Sequence, residues 1–248
     1  SGDGPNSWPH RKDSICAFIH RVDPDIIDMQ EVLHHQLEVL KTGLPEYTVV
    51  GVGREDGKTA GEYAPIFFKQ AKYTLLDQNT FWLCEKPDSV GMVGWDAALT
   101  RIATWVKLQD KKTGQILMVV NTHFDHIGTE ARRNSALLII EKIKEIVGTS
   151  PAILTGDFNV SEDWDAYKTI TNNEFILKDA HKVAGKRTGV DFTYHNFGKI
   201  PAEKCEKIDF IFVTPQIRVI SSYIPFSQLN DTLFLSDHNP EIVELEIK

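Results

Sequence analysis

The sequence lacks three features that would assign it to large classes of protein. No run of about 18 or more apolar residues occurs, so no membrane-spanning helix is predicted. No internal repeat, low-complexity tract or linker interrupts residues 1–248, so a single domain is the expectation. The cysteines, Cys16, Cys84 and Cys205, have no paired spacing, which argues against a zinc site or a redox pair and predicts unreactive thiols.

Positive charge is also scarce. The chain has 27 Lys and Arg against 35 Asp and Glu, a formal net charge of −8, and no dense basic cluster. Because Lys and Arg supply most of the non-specific affinity for a nucleic acid backbone, this balance argues against an extended duplex as a partner. The chain opens Ser-Gly-Asp-Gly without Met, as a trimmed chain does after removal of an export signal or after a cloning choice, so the compartment stays open. The oligomeric state also stays open, because no sequence pattern here indicates one.

The sequence does contain a regular series of strand and helix patterns. Helical spacing of apolar residues predicts helices at 12–20, 32–41, 128–147 and 164–171, after a loop over Ser1–Pro9. Strands are predicted at 25–28, 47–52, 64–69, 72–83, 102–108, 116–122, 151–155, 207–213, 218–223 and 241–247. Clustered strands with helices between them indicate an α/β fold in which two sheets pack together and helices cover them.

Polar side chains stand at the ends of five apolar runs. They are Gln30-Glu31, Asn121-Thr122-His123, Gly156-Asp157-Phe158-Asn159, Ile208-Asp209-Phe210-Ile211 and Ser236-Asp237-His238. Strand ends at one rim of a sheet are where α/β proteins commonly bind ligands. Oxygen-rich sets suit a hard cation such as Mg²⁺, with Mn²⁺ as the alternative, and imidazoles exchange protons near neutral pH. Together these are the parts needed to hydrolyse a phosphoester.

In this order the five motifs resemble the endonuclease/exonuclease/phosphatase (DNase I-like) superfamily. The resemblance runs from Asp25 to the last strand, and Gly-Asp-Phe-Asn and Ser-Asp-His are specific signals when they occur together. It implies a four-layered α/β sandwich, with two packed mixed β-sheets flanked by helices. It also implies a metal-dependent phosphoesterase in which water attacks phosphorus in line.

The resemblance further implies roles at the metal and the attacking water. Glu31 and Asp237 match the acids of the metal site, and Asp157 and Asn159 match the pair that aligns the water with the scissile phosphate. Family members begin with a strand whose final Asn helps to hold the metal. Asn6, in a loop with no apolar run before it, is a poor substitute, so we expect the native N-terminal strand to be missing from this chain.

Other matches concern the phosphate. His238 matches a general base or phosphate-polarising histidine, with Asp209 as its orienting carboxylate, and His123 matches a phosphate-contacting histidine or general acid. Arg101 matches more loosely a phosphate-contacting arginine, against the alternative of a surface arginine. Tyr63, which follows Glu62, is a candidate substrate contact, against a packing role.

Four further residues are predicted to have no part in the chemistry or only a peripheral one. Arg132 and Arg133 are expected on a solvated helix face or in local ion pairs. Among the tryptophans, Trp95 in a Gly-rich loop is a better candidate for a cleft rim than Trp164, which is expected to serve in packing.

The favoured substrate is a small or lipid-derived phosphoester, or a sugar or nucleotide phosphate. The alternative is a deadenylase-like exonuclease or endonuclease on single-stranded nucleic acid, because a single 3′ end needs fewer basic contacts than a duplex. A non-catalytic binding module is disfavoured because every matched position keeps a reactive group. A zinc or serine hydrolase of another kind is disfavoured because neither His-Glu-x-x-His nor Gly-x-Ser-x-Gly occurs.

Overall fold

The structure is a computed structural model and describes residues 3–148, 150–173 and 175–248. The helices are α1 Trp8–Val22, α2 His34–Gly43, α3 Thr129–Val147, α4 Asp165–Thr171 and the short α5 Ala180–Val183. The loop predicted over Ser1–Pro9 ends early, because α1 already begins at Trp8 with a proline in its first turn, where no amide donor is needed. The first two residues of that loop lie outside the described residues.

Twelve strands are found in the described part of the chain. They are β1 Ile26–Asp28, β2 Tyr47–Val50, β3 Ile66–Lys69, β4 Tyr73–Trp82, β5 Ile102–Asp110, β6 Ile116–His123, β7 Ala152–Asp157, β8 Lys178–Asp179, β9 Lys186–Gly189, β10 Asp209–Val213, β11 Ile217–Ile224 and β12 Ile242–Ile247. Each of the ten predicted strands is present within three residues of its expected bounds. The pattern missed β8, β9 and α5, which are too short to show a period.

The central sheet has six strands in the order β4-β5-β6-β7-β10-β8. β6 and β7 are parallel, and α3 forms the crossover between them, whereas β10 runs antiparallel to β7. One face of this sheet packs on α3 and α4 through a core that includes Phe81, Trp105, Leu154 and Phe212.

A second layer of strands covers the other face of the central sheet. It is divided into two three-stranded sheets, the antiparallel β1-β3-β2 and the mixed β12-β11-β9. Apolar side chains from both, such as Phe68 and Val219, share one core with Val106 and Val119 of the central sheet. Helices α1 and α2 then pack on the outside of β1-β3-β2 through Ile19, Leu37 and Leu40. The result is the expected four-layered α/β sandwich, with its second β-layer in two parts.

The two β-layers are joined by hydrogen bonds close to the predicted metal acid. The fully buried amide of Asn121, near the end of β6, donates to the carbonyl oxygens of Met29 at 2.7 Å and Pro65 at 2.9 Å. The amide of Gln30 donates to Asn121 Oδ1 at 2.6 Å. These bonds fix the chain around Glu31 to the carboxyl end of the central sheet.

Two sequence predictions concern the molecule as a whole. Cys16, Cys84 and Cys205 are free thiols, and burial raises the pKa of each, which leaves them mostly protonated and unreactive. In the described part of the chain, every helix is too short or too polar to cross a membrane.

Candidate active site

The site contains a hydrogen-bonded imidazole–carboxylate pair, His238 and Asp209. His238 Nδ1 donates to Asp209 Oδ2 at 2.7 Å. The second ring nitrogen, Nε2, is thereby left for a bond to a ligand. Burial lowers the pKa of His238, but the charges of Asp209, Asp157 and Asp237 outweigh it and raise that pKa to about 10. His238 is therefore an imidazolium at neutral pH and a strong donor to an anion.

Asp157 lies beside this pair because of strand register. The first residue of β10, Asp209, pairs with the last residue of β7, Asp157, and His123 at the end of β6 pairs with Asp157 on the other side. Asp157, Asp209 and His238 each offer a ligand atom, and these atoms lie within 4.8 Å of one another. Burial, and then the charge of Asp209, raise the pKa of Asp157 well above its usual value.

Asn159 is held in a turn that directs its side chain back to the sheet edge. Its backbone has φ +50°, a left-handed conformation that Asn tolerates better than most residues. Its amide N–H donates to Asp157 Oδ1 at 2.8 Å, and its side-chain Nδ2 donates to the carbonyl of Phe124 at 3.0 Å. The pair predicted to align water is thus joined by a direct hydrogen bond.

Two further carboxylates, those of Glu31 and Glu62, gather near His123. Glu31, Glu62 and His123 each offer a ligand atom within 4.8 Å of the others. Glu31 has φ +59°, a strained conformation for a glutamate and one that clusters at functional sites. Although the residue is exposed overall, its carboxylate sits in the cleft, and burial followed by the charges of Glu62 and Asp237 raises its pKa. Acids that repel one another in this way fit a divalent cation.

Sequence patterns do not identify Glu62 as an acid of the site. They indicate it only as a candidate substrate contact together with Tyr63, because it stands before a strand and belongs to none of the five motifs. The structure brings it to Glu31 and His123, and its other partner is the buried Arg54, with which it forms an ion pair. The signal that could have found it is a second acid directly before an apolar strand, Glu62-Tyr63-Ala64.

Arg101 lies at the start of β5 with only 4% of its surface exposed, so it is not a surface arginine. Its Nε is 3.4 Å from Asp125 Oδ2, and Nη2 donates to His126 Nδ1 at 3.0 Å. Among the described residues, Nη1 has no hydrogen-bond partner although it is buried. A buried guanidinium N–H without a partner is costly, and an anionic ligand supplies one.

Two uncharged side chains, His123 and Tyr63, line the cleft beside Arg101. His123 is buried, and burial followed by the charges of Arg101 and Arg54 lowers its pKa well below the usual value, so it is neutral. Its Nε2 is 3.5 Å from Asp157 Oδ2. Tyr63 lines the same small cleft, but its hydroxyl donates to the carbonyl of Lys58 at 2.8 Å and is 3.1 Å from His34 Nδ1. Tyr63 therefore offers the cleft its ring rather than its hydroxyl.

Asn6 contacts the loop that leads to Asp237. Its side-chain oxygen accepts from the amide of Phe234, and its carbonyl accepts from Arg11 Nε at 2.8 Å, so it ties the start of the described chain to the loop before Asp237. In this position it serves the loop structure. Asp237 anchors the same loop through its carbonyl oxygen, which accepts from the amides of His195 and Asn196.

The sandwich fold and the acid–imidazole set at the end of its central sheet define the class, the phosphoester hydrolases of DNase I-like fold. The chain belongs to the endonuclease/exonuclease/phosphatase family, whose family model matches residues 1–238. Members of this family hydrolyse phosphoester bonds and are generally dependent on a divalent metal. The resemblance drawn from the five motifs is confirmed.

Three relatives illustrate the range of this family. A solved endonuclease/exonuclease/phosphatase from Bacteroides vulgatus is 62% identical, covers 100% of this chain and 94% of its own, and has a TM-score of 0.97. A mannosyl-6-phosphatase from Bacteroides thetaiotaomicron is 37% identical, with 99% and 93% covered and a TM-score of 0.91. Nocturnin from Drosophila melanogaster is 22% identical over 89% of this chain, which spans 38% of nocturnin's length.

Proposed function

We propose that this protein hydrolyses the phosphomonoester of a phosphorylated sugar and uses Mg²⁺ as its cofactor. The observation that carries the proposal is a set of acids and a buried guanidinium gathered around His123. Glu31 and Glu62 offer ligand atoms within 4.8 Å of His123, and Arg101, which lines the same cleft as Glu62 and His123, has Nη1 lacking a partner among the described residues. A phosphate between a cation and this guanidinium would satisfy both. The 37% identity to a mannosyl-6-phosphatase over nearly the whole chain supports a sugar phosphate.

The cation would be held by Glu31 and Asp237, with Glu62 as a further carboxylate. When bound, it neutralises charge on the phosphate. Asp157 and Asn159, joined by the hydrogen bond from the Asn159 amide to Asp157 Oδ1, align the attacking water. The water oxygen forms a bond to phosphorus as the bond to the sugar oxygen breaks, which yields the free sugar and inorganic phosphate.

The remaining groups bind and stabilise the phosphate. His238, charged and oriented by Asp209, donates to a phosphate oxygen as negative charge develops. Arg101 supplies its Nη1, and the neutral His123 supplies an uncharged ring nitrogen. Tyr63 closes the cleft beside Arg101.

The direct test is phosphate release from mannose 6-phosphate by the purified protein. We expect turnover with Mg²⁺, loss of turnover with EDTA and recovery when Mg²⁺ is added back. Parallel assays use bis-p-nitrophenyl phosphate, a phosphatidylcholine-type lipid and a short oligoadenylate. Turnover of the lipid or the diester without turnover of the sugar phosphate would overturn the sugar-phosphate proposal.

A second candidate is a 3′ exonuclease acting on single-stranded RNA. It is favoured by the sequence matches to nocturnin and to a Ccr4 3′-5′-exoribonuclease subunit from Emericella nidulans, which is 24% identical over 89% of this chain. The net charge of −8 weighs against it. Release of mononucleotides from oligoadenylate, with mannose 6-phosphate left intact, would establish this alternative.

A further inference from the structure

A surface cavity of about 240 Å³ lies beside the loops that carry the active site. It is lined by Thr129, Arg132, Val160, Asp163, Trp164, Asp165 and Ala166. Its walls are the start of α3 and the segment that leads into α4. These segments follow the parallel strands β6 and β7, so the cavity lies at the same carboxyl edge of the central sheet as His123 and Asp157.

Direct bonds connect this cavity to the active site. Arg132 Nη1 donates to the carbonyl of Asp125 at 2.9 Å, and the carboxylate of Asp125 receives Arg101 Nε at 3.4 Å. On the other wall, Val160 directly follows Asn159 in the chain. One cavity wall is therefore bonded to the phosphate side of the site, and the other continues from the residue that aligns water.

The sequence predicts Arg132 on a solvated helix face or in local ion pairs, but Arg132 is not on a solvated face and forms part of the cavity's framework. Only 4% of its surface is exposed, whereas the neighbouring Arg133 is exposed. Its guanidinium carbon is 5.0 Å from the ring centroid of Trp164, so the two planar groups brace each other. The loop from Val160 to Trp164 covers this part of the helix, which a helical pattern alone does not show.

Trp164 is thereby fixed in place, yet 42% of it remains exposed. The carboxylates of Asp163 and Asp165, on either side of it, are exposed and have no hydrogen bond or ion pair to any residue that the structure describes. Trp164 thus braces Arg132 and still presents open ring surface to the cavity beside two carboxylate acceptors. An aromatic ring beside unengaged acceptors has the composition of a binding surface.

We propose that this cavity binds a sugar ring of a phosphorylated saccharide. The apolar C–H face of a pyranose packs on an indole, while its hydroxyls donate to carboxylates, which accept only. The volume suits one ring, since pockets that hold drug-sized ligands measure roughly 300–1,000 Å³ and this cavity is somewhat smaller. Asp163 and Asp165 would repel the phosphates of a nucleic acid strand, so a neutral polyhydroxylated ligand is favoured. This sugar site deepens the proposed function and rests on it.

The test separates sugar binding from catalysis. Binding of unphosphorylated mannose and mannobiose is measured by calorimetry and by saturation-transfer NMR on the wild type, Trp164→Ala and Asp163→Asn/Asp165→Asn. The control is Tyr223→Ala, which removes an equally exposed aromatic ring from β11. We expect Trp164→Ala to weaken binding about tenfold or more and Tyr223→Ala to leave it unchanged. No sugar binding by the wild type, or equal binding by Trp164→Ala, would overturn the site.

Kinetics then distinguish failure of the site from failure of the function. With a mannobiose phosphate, Trp164→Ala should raise KM about tenfold and change kcat little, while KM for p-nitrophenyl phosphate stays constant. Hydrolysis of sugar phosphates with no effect of Trp164→Ala would leave the proposed function standing and remove the sugar site. Sugar binding that depends on Trp164, without hydrolysis of any sugar phosphate, would keep the site and overturn the function.

Discussion

His238 has three carboxylates near its imidazole, those of Asp209, Asp157 and Asp237, and their combined charge outweighs the cost of burying an imidazolium. This is a costly arrangement for a residue with only a structural role, since buried charges of one sign need compensation. In the proposed function, a phosphate oxygen bound in front of Nε2 would supply that compensation. The pairing of His238 with Asp209 could be predicted from sequence because both stand in recognised motifs.

We therefore expect His238→Ala to lower kcat by about two to four powers of ten. The fold should be kept, because His238 and its partner Asp209, the first residue of β10, are both only partly buried at the rim of the central sheet. Steady-state kinetics on the phosphoester that the wild type hydrolyses measures the loss of kcat, and far-UV circular dichroism checks the fold. His20→Ala, on the exposed side of α1, is the control and should retain full turnover. Unchanged kcat in His238→Ala would remove it from the reaction.

Asp28 is a second buried acid, but it lies outside the proposed chemistry. Its Oδ2 accepts from Thr155 Oγ1 at 2.8 Å, and Oδ1 is buried without a partner among the described residues. Burial, opposed only by the Thr155 bond, raises its pKa to about 7. The folded state thus holds a proton that the unfolded chain releases near pH 4, so this residue costs stability as the pH rises from about 4 to 7.

Asp28→Asn should remove that cost. At pH 8 we expect the free energy of unfolding to rise by about 1–4 kcal/mol, and the gain over wild type should shrink to near zero at pH 4. Urea unfolding at several pH values measures this difference in the free energy of unfolding. The control is Asp77→Asn, at an exposed position on β4. A gain independent of pH would show that the carboxylate does not carry a raised pKa.

At the scale of elements, β6 and β7 determine the site because their carboxyl ends place His123 opposite Asp157. Gly156 allows this close approach: a Cβ there would lie 2.3 Å from the carbonyl oxygen of Thr122 on β6. The sequence predicted both strands and their motifs, since strand patterns are local. It did not predict that the second β-layer is split into two sheets, because the pairing of β1 with β3 joins segments far apart in the chain.

Gly156→Ala should force the two strands apart. We expect a loss of about 1–3 kcal/mol in the free energy of unfolding, together with lower kcat because His123 and Asp157 separate. Gly185→Ala is the matched control, since its added methyl would meet the carbonyl of Ile220 at 3.0 Å and lies away from the cleft. Denaturant unfolding and kinetics on both variants make the comparison. Equal effects in the two variants would refute a special role for the β6–β7 contact.

At the scale of the whole molecule, the net charge of −8 includes the acids that the folded chain brings into one cleft. Segments more than two hundred residues apart supply Glu31 and Asp237, so folding itself concentrates negative charge there. The family motifs point to Glu31 and Asp237 as candidate metal acids, whereas Glu62 and Arg54 became visible only when the fold brought them to the same cleft. A cation bound to this cleft relieves repulsion that exists only in the folded state.

Mg²⁺ should therefore stabilise the protein through linkage as well as support turnover. A ligand at about 100 times its Kd adds about 2.7 kcal/mol, which for a chain of this size corresponds to a rise in Tm of roughly 5–10 °C. Differential scanning calorimetry with increasing Mg²⁺ measures the shift. Glu31→Gln should be more stable than wild type without Mg²⁺, because it removes one repelling charge, and should lose most of the shift. Glu38→Gln on the exposed face of α2 should keep it. If Glu31→Gln gained as much from Mg²⁺ as wild type, the cation would have to bind elsewhere, and the acids gathered around His123 would need another explanation.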